Sequence, residues 1–248
     1  LLNYESWLRA KGNKETTISI QFRTLRSVYN KAIKRKCVGK EYYPFEDFHI
    51  NKFNVHTDKR AISKNDVLKI ISADLTGKSE YVKFSRDIFV FSYLCGGINF
   101  CDVASLTKEN ILNGRLSYVR QKTGKQINLC LTKNASAIID KYYKGGKGFL
   151  FPILDITRHI TATQKENRLH KVLGQVDKSL KIVAQIAKVD VNLTTYVARH
   201  SYATVLKRSG VPTSIICESL GHSSERVTQI YLDSFENEQI DEAMKNLL

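Results

Sequence analysis

The sequence contains no long apolar run. In its 248 residues, no stretch approaches the ~18 apolar residues that a membrane-spanning helix needs, and no secretory signal pattern is visible. We therefore expect a protein without a membrane partner. Because the first residue is Leu1 rather than methionine, we expect the chain to be part of a longer protein, and the sequence leaves N-terminal targeting open.

Paired cysteines are lacking as well. None of the five cysteines stands in a Cys-x-x-Cys spacing, and the six histidines show no metal-ligand spacing. An odd, scattered set of cysteines argues against a disulfide framework and against a zinc site. We expect buried, reduced thiols in a cytoplasmic protein.

Acidic residues are few. The chain has 24 Asp and Glu against 39 Lys and Arg, which gives a formal net charge of +15. An excess of one sign on this scale favours a polyanionic partner, most often a nucleic acid. A basic protein that binds acidic proteins is the alternative.

One segment has no acidic residue at all. Between Thr16 and Lys36 there is no Asp or Glu, and apolar side chains recur with helical period. We expect this helix to start near Thr16 or Thr17, with one of them as its N-cap. Because a solvated helix face usually mixes both signs of charge, we expect the opposite face to contact nucleic-acid phosphates. An ordinary solvated face is the alternative. The basic residues of this face are Arg23, Arg26, Lys34 and Arg35.

Helical periodicity covers most of the chain and predicts a mainly α fold with a small three-stranded antiparallel sheet (α+β). Residues 1–55 predict a helical unit whose two main helices give only a thin core, so we expect it to be incomplete. Residues 56–62 read as a linker and 63–248 as a larger domain. Strands are predicted at Asn110–Leu112, Leu116–Gln121 and Gln126–Leu131, and helices at about 1–11, 16–35, 63–71, 81–95, 102–106, 135–143, 165–188, 195–209 and 212–221, with another around Tyr231.

Residues that can carry chemistry cluster near the end of the chain. Arg199 and His200 lie in a predicted helix of otherwise small and apolar residues. His222 directly follows Gly221, which ends the next predicted helix and holds the following side chain firmly. Tyr231 comes nine positions later. Helices with this spacing can bring an arginine, a histidine and a tyrosine to one pocket.

The motif Ala-Arg-His-Ser-Tyr-Ala-Thr around Arg199, followed by Leu-Gly-His222 and then Tyr231, resembles the tyrosine recombinase (phage integrase) family. Lys122, in Arg-Gln-Lys-Thr-Gly-Lys, resembles the lysine of that family's β-hairpin. The resemblance covers residues 60–248 as the catalytic domain, and residues 1–55 more weakly as the end of the helical core-binding domain.

The resemblance implies a defined chemistry. Tyr231 would attack a DNA phosphodiester and give a 3′-phosphotyrosine and a free 5′-hydroxyl, without metal, ATP or another cofactor. Arg199 would neutralise the phosphate oxygens, His222 would donate a hydrogen bond to the same phosphate, and Lys122 would protonate the leaving 5′-oxygen. Asp102 resembles an acidic residue of the family, and we expect it to be structural, orienting Arg199 or His200.

Two positions depart from the family pattern. Asn99 stands where the family usually has its first arginine, and Tyr196 stands where it usually has a histidine. Asn99 can donate a hydrogen bond to substrate but carries no charge. Because side chains two apart on a strand share a face, we expect Arg120 to lie beside Lys122 and to supply the missing charge; an arginine that only contacts the DNA backbone is the alternative. Tyr196 would assist at the phosphate, or act as a rival nucleophile.

These features predict a site-specific recombinase of double-stranded DNA, the integrase of a mobile element. A DNA inversion recombinase with the same chemistry, a DNA-binding protein with an impaired site and a type IB topoisomerase are the alternatives. The resemblance also implies a tetrameric assembly on DNA through the C-terminal helix around Ile240–Leu247, in the cytoplasm at the bacterial nucleoid. Packing of that helix within its own protomer is the alternative.

Overall fold

The computed structural model describes residues 1–55, 61–146, 148–229 and 232. The chain forms two compact units, Leu1–Asp58 and Lys59–Leu248. Its elements are, in chain order, α1 (Leu2–Ala10), α2 (Glu15–Lys34), α3 (Lys64–Ser72), α4 (Glu80–Leu94), α5 (Phe100–Ser105), β1 (Ile111–Leu112), β2 (Arg115–Val119), β3 (Gln126–Cys130), α6 (Lys133–Tyr142), α7 (Ala162–Ile186), α8 (Thr195–Arg208), α9 (Thr213–Leu220) and α10 (Glu225–Gln229).

The first unit has a small aromatic core. Phe22 of α2 is fully buried and stacks on Phe48 and Phe53, with ring centroids 4.6 and 5.5 Å apart. Leu8 of α1 and Ile18 of α2 complete this core. The two helices therefore bury their apolar stripes against the segment that follows them.

The start of α2 was predicted wrongly. The helix begins at Glu15, after an extended Lys14, and not with Thr16 or Thr17 as its cap. Glu15 pairs with the guanidinium of Arg9. An acidic side chain in the first turn also interacts favourably with the helix dipole, so the helix starts there without a side-chain cap.

The second unit is built around α4, which was predicted as a helix at about 81–95. Nine of its side chains are buried, among them Phe89 and Phe91. It packs against α3, α6, α7 and α8. The glycine pair Gly96 and Gly97 follows with positive φ angles of 71° and 64°, so the helix ends where the sequence predicted. Its central position gives the flanking turn a rigid support.

The predicted three-stranded antiparallel sheet is present, in the order β1-β2-β3. Leu116, Tyr118 and Ile127 are buried on one of its faces. The second strand is shorter than predicted, because it ends at Val119 and the next residues form a turn. The reasoning from strand alternation at residues 120 and 122 was therefore wrong.

The long helix α7 begins three residues earlier than predicted, at Ala162. Thr161 accepts a hydrogen bond from the backbone N–H of Gln164, whose side chain accepts one from the backbone N–H of Thr161. This reciprocal capping box satisfies two N–H groups of the helix start. Within the described ranges, every helix is too short or too polar to cross a bilayer.

Candidate active site

Arg199 is the centre of the candidate site. It lies on α8 and is only 2% exposed. Its Nη1 donates to the carbonyl of Gly97 at 2.8 Å, and its Nη2 donates to the carbonyl of Leu220 at 2.6 Å. The guanidinium is therefore fixed between the turn after α4 and the end of α9.

Gly97 permits this arrangement. A Cβ atom at this position would lie 2.8 Å from the Cα and 2.9 Å from the Cγ of Arg199. Real Cβ contacts are not this short, and the φ of +64° is also strained for a residue with a side chain. The turn can approach α8 this closely only because residue 97 is glycine.

Gly221 ends α9 in the left-handed conformation, with φ 63° and ψ 39°. The backbone N–H of the next residue, His222, donates to the carbonyl of Cys217 at 3.1 Å. This closure is the usual glycine ending of a helix, and it was predicted. It turns His222 inward, where the side chain is 2% exposed.

The ring of His222 is held at both nitrogens. Nε2 lies 3.0 Å from the Nη2 of Arg199, and Nδ1 lies 2.9 Å from the hydroxyl of Thr228 on α10. Because a guanidinium can only donate, Nε2 of His222 accepts a hydrogen bond from Arg199. Nδ1 then carries the ring proton and donates a hydrogen bond to the hydroxyl of Thr228. His222 is therefore a neutral imidazole in this structure.

Electrostatics agree with a neutral His222. Burial and the nearby positive charges of Arg199, Arg120, Lys122 and Lys125 lower the pKa of His222 to about 4. Both burial and cationic neighbours disfavour a charged imidazole. Two of these positive charges, Lys122 and Lys125, belong to the hairpin between β2 and β3.

Arg120 is a second buried arginine, 3% exposed. It follows β2 directly, and its Nη1 donates to the carbonyl of Gly221 at 2.9 Å. Within the part of the chain that the structure describes, Arg120 forms no ion pair and its Nε has no hydrogen-bond partner. Because Arg120 and Arg199 bind carbonyls of consecutive residues, Gly221 and Leu220, the structure brings two arginines and His222 together.

Asp102 is buried on α5, with 3% exposure. Its Oδ1 accepts the backbone N–H of Gln121 at 3.0 Å, whereas Oδ2 has no hydrogen-bond partner among the described residues. Burial raises the pKa of its carboxyl, and the charges of Arg120 and Arg199 oppose this rise. The hydrogen bond shows that Asp102 holds the hairpin backbone, which the sequence did not indicate.

Lys122 lies in the turn between β2 and β3 and is exposed. Beside it, the Thr123 hydroxyl donates to the carbonyl of Gly221 at 3.1 Å, and the ammonium of Lys125 donates to the carbonyl of His222. Sequence reasoning missed Lys125 and Thr228. The only sequence signal for Lys125 was its place as a second lysine in the hairpin motif, and no sequence signal indicated Thr228.

The two unusual residues, Asn99 and Tyr196, line one pocket with Arg199. This pocket has a volume of about 410 Å³, and α5 and α7 line it with both apolar side chains, such as Phe100 and Leu169, and charged ones, such as Glu166. Tyr196 is 45% exposed and packs edge-to-face on His200, with ring centroids 4.7 Å apart. His200 therefore packs against the ring of Tyr196.

The basic residues of α2 lie in the first unit. Arg23, Arg26 and Lys34 line an open groove of about 360 Å³ with Ser27, Asn30 and Lys31. Arg35 lies just past the end of α2, is exposed and does not line the groove. Spacings of three and four residues place the groove cations on one helix face.

The sequence profile of the Phage integrase family matches residues 60–238, and that of the phage integrase SAM-like domain matches residues 1–54. The chain belongs to the phage integrase family. Each compact unit of the fold therefore contains one of the two matched segments.

Named relatives of this phage integrase family member are recombinases. Tyrosine recombinase XerD of Halalkalibacterium halodurans is 24% identical over 242 residues, which are 93% of this chain and 75% of the relative. Tyrosine recombinase XerA of Pyrococcus horikoshii is 26% identical over 202 residues, 77% of this chain and 65% of the relative. The chain thus spans 65–75% of their length.

Solved structures of similar fold include two integrases. The Tn1549 transposon integrase, in complex with a circular intermediate DNA, has a TM-score of 0.65 at 17% identity and covers 98% of this chain and 83% of its own. A lambda integrase dimer bound to a COC′ core site has a TM-score of 0.60 at 16% identity and covers 95% and 81%. These similarities confirm the predicted fold class.

Three predictions for this family member lie wholly or mostly on residues outside the described part of the chain. They are the linker at 56–62, the nucleophile Tyr231 and the C-terminal helix around Ile240–Leu247. Leu232, the residue after Tyr231, is described and is buried with Ala203 of α8 and with Ile216 and Leu220 of α9. The chain therefore passes against the helices that carry the candidate site.

Proposed function

We propose that this chain is a site-specific recombinase of double-stranded DNA, the integrase of a mobile element, acting through a 3′-phosphotyrosine intermediate. The observation that carries the proposal is the convergence of two buried arginines, Arg199 and Arg120, on a neutral His222. Membership of the phage integrase family supports it. An integrase of this kind would work in the cytoplasm, at the nucleoid.

The two arginines form the proposed phosphate site. Buried like charges are unfavourable unless anions lie near them, and Asp102 is a single carboxyl near two guanidinium groups. A phosphodiester bound between Arg199 and Arg120 would supply a second anion, and the fixed donors would stabilise the extra charge of the transition state. Removing one such donor commonly slows a reaction by about 10²–10³-fold. Arg120 thereby takes the place of the arginine that the family has at Asn99.

In the proposed step, the phenolic oxygen of Tyr231 forms a bond to phosphorus while the bond between phosphorus and O5′ breaks. Lys122 gives a proton to O5′, and the phenolic proton leaves to solvent, so that no net proton is consumed. Attack by a 5′-hydroxyl of another strand reverses the step and rejoins DNA. A phenol with an ordinary pKa near ~10 needs cationic neighbours to lose its proton.

His222 would change its role when DNA binds. In the structure its Nε2 accepts from Arg199. A phosphate anion would draw the guanidinium towards itself and offset the positive charges that lower the pKa of His222. The imidazole could then carry a proton at Nε2 and donate it in a hydrogen bond to the phosphate.

Asn99 and Tyr196 are proposed substrate contacts. Both border the pocket that Arg199 lines, and each has a neutral hydrogen-bond donor in its side chain. We assign Asn99 to substrate binding and the Tyr196 hydroxyl to the phosphate. Tyr231 remains the proposed nucleophile because its spacing from His222 follows the family motif.

DNA affinity would come largely from basic surface residues. The groove of α2 presents Arg23, Arg26 and Lys34, with Arg35 just beyond, in a chain of net charge +15. Contacts of this kind are independent of base sequence and weaken as salt rises. We further propose that the C-terminal helix docks on a neighbouring protomer in a tetrameric complex on DNA.

Covalent capture tests the proposed function. DNA that carries the gene and its flanks is mixed with the protein, quenched in denaturant, and searched by sequencing for strand ends blocked by a 3′-linked peptide. We expect adducts at a defined sequence with the wild type and none with Tyr231→Phe. A short duplex of the mapped sequence, nicked near the cleavage point to trap the product, then serves for rate measurements.

An impaired DNA-binding protein is the second candidate, because Asn99 is uncharged where the family has an arginine. It predicts specific retention of a DNA fragment without any covalent product. Relaxation of plasmids that lack the mapped sequence would instead favour a topoisomerase. Adducts that depend on Tyr231 would exclude the impaired DNA-binding protein, and unrelaxed plasmids in the second assay would exclude the topoisomerase.

A further inference from the structure

Gln121 fastens the hairpin tip to α5. Its backbone N–H donates to Oδ1 of Asp102 at 3.0 Å, and its side-chain Nε2 donates to the hydroxyl of Ser105 at 2.9 Å and to the carbonyl of Cys101 at 3.3 Å. All three acceptors belong to one turn of α5. Gln121 itself lies outside β2, so these bonds replace the sheet ladder at this point.

The opposite side of the tip is fastened to the end of α9. Thr123 donates to the carbonyl of Gly221 at 3.1 Å, and Lys125 donates to the carbonyl of His222. The tip closes on itself through the N–H of Gly124, which donates to the carbonyl of Arg120 at 2.8 Å. Lys122 is the single residue between Gln121, which is attached to α5, and Thr123, which is attached to the end of α9.

Satisfaction of a buried amide does not explain the contacts of Gln121. Its side chain is exposed, so water would satisfy the amide at little cost. What the protein contacts add is a fixed position for the turn relative to α5. Gln126, in the same hairpin, differs because, among the residues that the structure describes, its amide donates only to the hydroxyl of Ser117 on the neighbouring strand, at 2.8 Å.

We infer that Gln121 is a positioning residue for Lys122, holding the hairpin tip against α5 so that the ammonium of Lys122 stays within reach of the leaving 5′-oxygen. The inference rests on the proposed role of Lys122 as the general acid. Displacing a catalytic group by about 1 Å can slow a reaction by about 10²-fold. Without the side chain of Gln121 the backbone bond to Asp102 remains, so we expect cleavage to slow by roughly 10-fold to 100-fold.

A change of leaving group tests the inference. In a substrate with sulfur in place of the bridging 5′-oxygen, the bond between phosphorus and sulfur breaks to release a thiolate. An ordinary thiol has a pKa of about 8.5, so the thiolate needs no proton from Lys122. The rate of adduct formation is measured for three full-length variants, Gln121→Met, Lys122→Ala and the control Gln126→Met. Each is assayed on two duplexes of the mapped sequence, one with the bridging oxygen and one with sulfur in its place.

We expect Gln121→Met to be slow on the oxygen substrate and close to the wild-type rate on the sulfur substrate, with Gln126→Met unaffected on both. Ser105→Ala, which removes one acceptor on α5, should show the same pattern with a smaller loss. Urea unfolding midpoints equal to that of the wild type would show that the fold is intact in each variant.

Two outcomes overturn the inference, and they can be told apart. Equal losses of Gln121→Met on both substrates, with Lys122→Ala still rescued by sulfur, would show that Gln121 acts elsewhere than on proton delivery. Failure of sulfur to rescue Lys122→Ala would remove Lys122 as the general acid, and the proposed mechanism would fail with it.

Discussion

Replacing Gly97 by alanine should loosen the candidate site at its most tightly packed point. The new Cβ would lie 2.8 Å from the Cα of Arg199, which is backbone of α8 and has no freedom to rotate away. The turn after α4 must therefore move away from α8. The hydrogen bond of 2.8 Å from Arg199 to the Gly97 carbonyl would lengthen or break.

Two effects add up in this variant. A left-handed backbone costs a residue with a side chain about 1–2 kcal/mol, and overpacking of a well-packed core costs about 1–3 kcal/mol. The expected loss in free energy of unfolding is thus about 2–5 kcal/mol. Gly77→Ala is the matched control, because Gly77 has a similar φ of +73° but nothing within 4 Å of its Cβ position. Gly77→Ala should lower the free energy of unfolding only by the cost of the left-handed backbone, about 1–2 kcal/mol.

Urea unfolding of the two variants measures this difference, and adduct formation on the mapped duplex measures its effect on the site. We expect Gly97→Ala to be slower by at least ~10-fold, since Arg199 is displaced, and Gly77→Ala to cleave normally. Equal destabilisation of both variants, or normal cleavage by Gly97→Ala, would refute the close packing of the turn on Arg199.

Three further predictions follow from charge. Arg120→Ala should slow adduct formation about as severely as Arg199→Ala, by about 10²–10³-fold, and near-normal cleavage would show that Arg120 is not the missing cation. His222 should make the fold sensitive to acid: the unfolded chain protonates it near its ordinary pKa of 6.5 and the folded chain only near 4, so stability falls as pH drops through this window. At ~1.4 kcal/mol per pKa unit, the free energy of unfolding should fall by about 3 kcal/mol over this window. Urea unfolding of His222→Gln should not show this fall, and an equal fall in that variant would contradict the lowered pKa. In the first unit, Arg26→Ala should reduce the dependence of DNA affinity on salt by about one counterion, measured as the slope of log affinity against log salt. An equal change for Lys14→Ala, at the start of the same helix, would argue against a DNA-binding role of the groove.

Local sequence patterns were sufficient to predict those elements whose structure depends on residues close together in the chain. The apolar run of α4 and the two glycines after it determine a buried helix and its end, because period and left-handed φ are local properties. The same holds for Gly221, which ends α9 and turns His222 inward. Errors arose at starts of elements, as in α2, which begins at Glu15 without the predicted threonine cap.

The parts of the candidate site that depend on distant contacts could not be predicted in this way. Arg120 contacts the carbonyl of Gly221, 101 positions away, and no period or motif encodes that distance. Strand alternation could not place Arg120 and Lys122 on one face of the sheet, because the strand ends at Val119, before both residues. The hydrogen bonds of Gln121 and Thr228 are likewise visible only once α5, the hairpin and α10 are assembled.

Identification of the modified residue tests the central claim most directly. The DNA adduct of the wild-type chain is digested with nuclease and protease, and the peptide that carries the nucleotide is sequenced by mass spectrometry. We predict a 3′-phosphotyrosine on Tyr231, no adduct from Tyr231→Phe, and unchanged attachment in Tyr196→Phe. An adduct on Tyr196, or specific DNA binding with no covalent product under any condition, would contradict the account.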